Sequence, residues 1–152
     1  MPAFVWNTNH LMWKVVPPFT DSLAVLKAYL TDPSAYVYWS TPRFQEEIRE
    51  GDTAYVFCTV DNQGIVARGR VAEAPRQLTL GNGAQFAQAA RLKPAGWDEA
   101  VAPSSFKTGI AIERTFWDQP LTSGKPAHGT VGRVSDEVMK AIEAEIAGRA
   151  RV

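Results

Sequence analysis

Thr53-Ala-Tyr-Val-Phe-Cys-Thr-Val60, Asp61-Asn-Gln-Gly64 and Ile65-Val-Ala-Arg-Gly-Arg-Val-Ala-Glu-Ala74-Pro75 form the most informative stretch of the chain. The first eight residues are β-branched and aromatic with almost no polar interruption, which predicts a strand buried on both faces. Asp61–Gly64 is a run of turn formers, and Ile65–Ala74 returns as the partner strand, ending at Pro75. On that return strand Ile65, Ala67, Gly69 and Val71 share one face, while Arg68 and Arg70 share the other, about 7 Å apart. A glycine inside a strand signals a bulge or the close approach of another backbone, so Gly69 is expected to do one or the other.

Outward from this hairpin the pattern stays mixed. Residues 3–8 read as a strand that breaks at Asn7-Thr8-Asn9-His10. Thr20 or Asp21 can cap a helix carrying Leu23, Leu26 and Leu30, which Asp32-Pro33 stops. Tyr36–Trp39 predicts a short strand ended by Ser40-Thr41-Pro42, and Gln45–Arg49 a turn of helix closed by Gly51-Asp52. Lys107–Trp117 and Thr130–Val134 read as further strands. Ser135 then caps a helix over about 135–147 with Asp136 and Glu137 in its first turn, and Val138, Ile142 and Ile146 form its apolar stripe. Residues 76–105, punctuated by Gly81-Asn82-Gly83, Pro94-Ala95-Gly96 and Pro103, read as an irregular insertion. The sum is a single α+β domain over 1–152: a partly closed, mostly antiparallel β-barrel with flanking helices.

Composition narrows the function. The 152 residues are 45% hydrophobic and 21% charged, as in soluble globular proteins. Sixteen basic residues balance sixteen acidic ones, so contact with phosphate must rest on a local patch. One cysteine, Cys58, excludes an internal disulfide, and its apolar setting fits a buried, inert thiol in a reducing compartment. Met1-Pro2-Ala3-Phe4 does not open a signal peptide, and no apolar run approaches the roughly 20 residues of a membrane helix, which fits the cytoplasm. His10, His128 and Cys58 are too scattered for a metal centre, and no Walker loop, Rossmann fingerprint or Gly-x-Ser-x-Gly elbow occurs. The chain therefore reads as a binding module rather than an enzyme, with no cofactor expected.

From Trp39 to Pro75 the sequence resembles the EVE-domain pattern. It has Trp39, the pair Arg43-Phe44, Gly51-Asp52 opening a strand, and Gly64-Ile65-Val-Ala67-Arg-Gly69-Arg-Val71 running to a proline. Phe4-Val5-Trp6-Asn7-Thr8-Asn9, Trp13, Ile110–Glu113, Pro120-Leu121 and Gly129-Thr130-Val131 fit the same pattern. EVE domains belong with the PUA-like folds, whose relatives include the YTH readers of methylated adenine. Trp39-Ser40-Thr41 is similar to a stretch lining the YTH pocket, and the chain departs from those readers at Pro42-Arg43-Phe44. The resemblance implies a module that flips a modified, typically methylated, base of DNA or RNA into an aromatic pocket. It also implies partner proteins of a restriction or modification system.

Carried over, Trp39 is one wall, Ser40 and Thr41 reach the base edge, and Asn7 or Asn9 bonds a ring nitrogen or carbonyl, the first two strands lying adjacent. Trp13, Trp97 or Trp117 supplies the second wall, with Arg43, Arg68 and Arg70 on the phosphates. The plainer reading makes Trp39 a core residue, Asn7 and Asn9 strand-ending turn residues, and Arg68 and Arg70 a solvated face. An alternative function keeps the fold as an RNA-binding or nucleotide-like small-ligand domain within a protein complex.

Overall fold

The computed structural model describes residues 2–9, 20–31, 37–60, 63–77 and 106–149. Six strands and two helices lie among them, in the order β1 (Ala3–Thr8), α1 (Ser22–Thr31), β2 (Val37–Ser40), β3 (Thr53–Cys58), β4 (Gly64–Gln77), β5 (Phe106–Thr115), β6 (Val131–Val134) and α2 (Asp136–Arg149). The strands form one sheet ordered β2-β5-β4-β3-β1-β6. β1 and β3 run parallel, and every other pair is antiparallel. Among the described residues the end strands β2 and β6 do not pair with each other, so the sheet stays open in an α+β arrangement.

The hairpin forms as its periodicity requires. Thr53 faces Arg70, Tyr55 faces Arg68 and Cys58 faces Gly64, with one register shift between Val56 and Phe57. Gly69 makes both features expected of it. The β4–β5 register slips between Arg68 and Gly69, and a Cβ at Gly69 would stand 2.2 Å from the Ala111 carbonyl oxygen.

β4 runs beyond Pro75 to Gln77, so Arg76 and Gln77 belong to the sheet and not to the irregular insertion, pairing with Lys107 and Phe106. The proline is tolerated because the ladder is already interrupted between Glu73 and Arg76, where the missing N–H costs no regular bond. Residues 78–105 of the expected insertion lie outside the described residues.

The turn of helix expected over Gln45–Arg49 is reduced to one hydrogen-bonded turn after Phe44. Phe44 adopts a left-handed backbone (φ 61°), and its carbonyl takes the N–H groups of both Glu47 and Ile48 at 3.1 Å. The Asp52 carboxylate then accepts the Arg49 N–H at 2.9 Å, closing a tight turn. β5 also ends at Thr115, because Phe116 turns its N–H to the Val66 carbonyl.

Alternation in β1 splits the core into two layers. Phe4 and Trp6 join Leu26 and Leu30 of α1, Val37 and Trp39 of β2, and Ala54, Val56 and Cys58 of β3. Ala3 and Val5 join Tyr55, Ile65 and Leu121 beneath Ile142 of α2. Both helices are capped as read: Asp21 Oδ1 accepts the Ala24 N–H at 2.8 Å, and Ser135 Oγ accepts the Val138 N–H at 3.2 Å. No helix among the described residues is long and apolar enough to cross a membrane.

Candidate nucleic-acid interface

The residues singled out around Trp39 fall at the open edge of the sheet. Trp39 lies opposite Thr108, and Ser40, the last residue of β2, opposite Lys107. The Trp39 side chain belongs to the first core layer and is 4% exposed. Thr41 is fully buried, and its hydroxyl bonds the Trp39 carbonyl at 3.1 Å and the Thr108 hydroxyl at 2.5 Å. Trp117 is half-buried against the same layer, with the Lys27 ammonium 5.6 Å above its ring. Trp13, Trp97 and His10 lie outside the described residues.

The first two strands are not adjacent as expected: β5, β4 and β3 stand between β2 and β1. The parallel β1–β3 pairing puts β1 near the far edge, so Asn7 and the Trp39 strand lie on opposite sides of the sheet. Asn7 is committed elsewhere. Its amide donates to the Ala127 and Gly129 carbonyls at 2.7 Å each, and its oxygen accepts the Ala127 N–H at 2.9 Å. Both donors of the amide are thereby used inside the protein, and its task is to clamp the loop before β6. Asn9 follows β1 and is half-buried.

The arginines divide. Arg68 is 15% exposed and points under α2, where it bonds Glu143 at 2.9 Å and Glu113 at 2.5 Å. Arg70, on the rim, pairs with Glu113 at 3.5 Å, and Arg43 is exposed with its guanidinium 5.0 Å over the Phe44 ring. The Arg68 partner Glu143 also takes the Tyr55 hydroxyl at 2.5 Å.

This cluster makes stability depend on pH. Burial by itself raises the Glu143 carboxyl, but hydrogen bonds from Arg68 and Tyr55, with the charge of Arg68, outweigh it and hold the group low. Its stabilisation is present above the unfolded carboxylate value of about 4.3 and is lost as pH falls below it. With Glu143 a third exposed, solvent screening keeps the loss to about 1 kcal/mol. Urea midpoints are expected to drop between pH 5 and 3, and Glu143→Gln to flatten that drop. The slope that remains belongs to Glu145, which is raised by burial but held low overall by hydrogen bonds from Ser123 and Thr122. An unchanged slope in Glu143→Gln would show that the cluster is not coupled to folding.

Lys107, which the sequence showed only as the start of a strand, is 1% exposed. Burial pulls its ammonium down to about 8. Because the folded state holds this proton less tightly than the unfolded chain, stability is expected to rise between about pH 8 and 10. The rise is on the order of 2–3 kcal/mol and should vanish in Lys107→Met. Deprotonation of Tyr55, raised by burial and by Glu143, opposes it only above pH 10.

A cavity of about 480 Å³ lies on the other layer, between β1, β6, the start of α2 and residues 43–44 and 125–128. Buried Val5, Ile65 and Ile142 line it together with half-buried Val138, and exposed Arg43, Lys125, His128 and Arg133 stand around it. No local sequence pattern marks this site, because it is assembled from four separated segments.

Three solved structures share the fold. An NMR structure of a Rhodopseudomonas palustris protein matches with a TM-score of 0.55 at 12% identity, over 93% of this chain and 90% of that one. A crystal structure from Pseudomonas putida gives 0.55 at 15% identity, over 93% and 97%. A variant of the ASCH protein of Zymomonas mobilis gives 0.53 at 10% identity, over 93% and 96%. The likeness is one of fold alone. No protein-family model matches the chain, and no curated protein matches it either.

Proposed function

We propose that this PUA-like domain is an EVE-type reader, a single-domain module without catalysis that binds DNA or RNA and takes up a modified base beside Trp39. The observation that carries the reading is the position of Trp39-Ser40-Thr41 at the end of β2, the terminal strand of the sheet among the described residues, where the strand gives way to Pro42. An aromatic ring followed by two hydroxyl-bearing residues at a strand end suits the face and the polar rim of a base. Thr41 acts through its backbone and through its hold on Thr108, since its hydroxyl is already bonded. Trp39 must be uncovered to accept a base, because only 4% of it is exposed.

Unstacking a base costs a few kcal/mol, and stacking on an aromatic ring returns about 1–3. A buried methyl group adds roughly 0.8 kcal/mol, a discrimination of about fourfold. Arg43 and Arg70 supply the phosphate contacts, and Arg68 stays with its carboxylates. The natural partners of such a module are proteins that write or restrict the same modification.

The test is a tryptophan-fluorescence titration with paired oligonucleotides, DNA and RNA, differing by one methyl group on a base. A few-fold or greater preference for one methylated strand is expected. Equal affinity for every pair overturns base reading, and the absence of binding overturns the nucleic-acid role.

A further inference from the structure

We propose that the cavity between β1, β6 and α2 is a second binding site, which takes a 5′-phosphorylated nucleoside. Its two halves differ in chemistry. Val5, Ile65 and Ile142, at most 4% exposed, make an apolar wall, and Val138 completes it. The exposed cations Arg43, Lys125 and Arg133 stand around it, and Glu47 pairs with Arg133. An apolar recess calls for a flat, weakly polar body, and the cations at its rim call for an anionic group. A phosphate monoester is such a group, and guanidinium forks bind its oxygens two at a time. A cavity of 480 Å³ falls within the range of small-ligand sites and admits a base with its sugar.

The site is built and not merely left over. Asn7 spends its whole amide on the 127–129 loop, fixing one wall. Phe44 holds a left-handed backbone (φ 61°) that sets its ring against the guanidiniums of both Arg43 and Arg133, at 5.0 and 5.6 Å. Both of these arginines also line the cavity. Gly132 lines the same space, and a Cβ there would press to 3.0 Å on Ala127. Its apolar wall lies on the opposite layer of the sheet from Trp39; Arg43 is common to both proposals, while that wall, Lys125 and Arg133 belong to this site alone.

The ligand chemistry has two sources, a free mononucleotide or the 5′-phosphate end of a strand. Calorimetric titration of the full chain with AMP, CMP, adenosine and inorganic phosphate comes first, followed by short oligonucleotides with and without a 5′-phosphate. Micromolar to low-millimolar binding of a mononucleotide is expected, at least tenfold tighter than adenosine or phosphate alone. A preference for 5′-phosphorylated strands over free nucleotide would assign the strand end as the source, and the reverse the free nucleotide. Lys125→Glu, an exposed change, should weaken binding at least tenfold. Val138→Trp, which fills the cavity from α2, should abolish it, with circular dichroism confirming the fold. Lys140→Ala, which removes an exposed cation of α2 outside the cavity lining, should leave it unchanged. No binding of any phosphorylated nucleoside at 5–10 mM, or binding that survives both Lys125→Glu and Val138→Trp, overturns the proposal.

Discussion

Valine at position 69 is expected to prevent the domain from folding. A Cβ there would stand 2.2 Å from the Ala111 carbonyl oxygen and 3.0 Å from the Ala111 carbonyl carbon and the Ile112 Cα, all of them backbone atoms. No rotamer change moves a backbone, so relief requires β4 and β5 to separate at the centre of the sheet, where β4 is also tied to β3. Overpacking in a well-packed core costs about 1–3 kcal/mol when side chains can adjust, and more when they cannot. Gly69→Ala should therefore lose at least about 3 kcal/mol, and Gly69→Val should exceed the whole stability of an ordinary small domain, roughly 5–15 kcal/mol at most. Gly148 is the control. Nothing lies within 4 Å of a Cβ at that helix position, so Gly148→Ala should stabilise by about 0.5–1 kcal/mol. Urea unfolding of the alanine variants decides the matter: a Gly69→Ala midpoint close to the parent would mean the two strands do not approach as described.

The hairpin, Gly69 and both helix caps were legible because each rests on neighbours in sequence. Alternation and turn residues set the register of β3 on β4, and a side-chain oxygen before an apolar stripe announces a helix start. What could not be read depends on distance along the chain. Arg68 looked like a free phosphate ligand because strand alternation gives its side but not what covers it, and Glu143 lies 75 residues downstream. Asn7 looked like a turn residue or a base ligand, whereas its partners are 120 and 122 residues away. Lys107 gives no local sign of burial, since a lysine at the start of a strand is ordinarily solvated. The left-handed Phe44 was hidden by the helix-like Gln45–Arg49 pattern, which continues for one turn before Asp52 accepts the Arg49 N–H. The cavity is the extreme case: the alternation around Ile65 and the stripe of Val138 and Ile142 are local signals, but nothing local says that these segments meet.

Trp39 is expected to show a large stability effect and a separable binding effect. Its ring packs in the layer formed by Trp6, Leu26, Leu30 and Ile110, so Trp39→Ala should cost about 3–5 kcal/mol, in the range of core tryptophans. A stability loss of that size can mimic a loss of binding, and the alanine variant is therefore a poor probe of the pocket. Trp39→Phe removes one ring but keeps an aromatic face, at a cost of about 1–2 kcal/mol that leaves the chain folded. If a base stacks on this residue, the smaller ring should weaken oligonucleotide binding several-fold, since stacking strength follows ring overlap. The preference for the methylated strand should shrink with it, because the methyl group and the ring share one surface. Binding to phosphates by Arg43 and Arg70 would persist, so the salt dependence of the variant should match the parent, at a slope of about 0.7–0.9 per contact. Salt slope unchanged with methyl preference lost is the signature of a pocket wall. A folded Trp39→Phe that keeps the full methyl preference would place the base elsewhere and leave Trp39 as core alone.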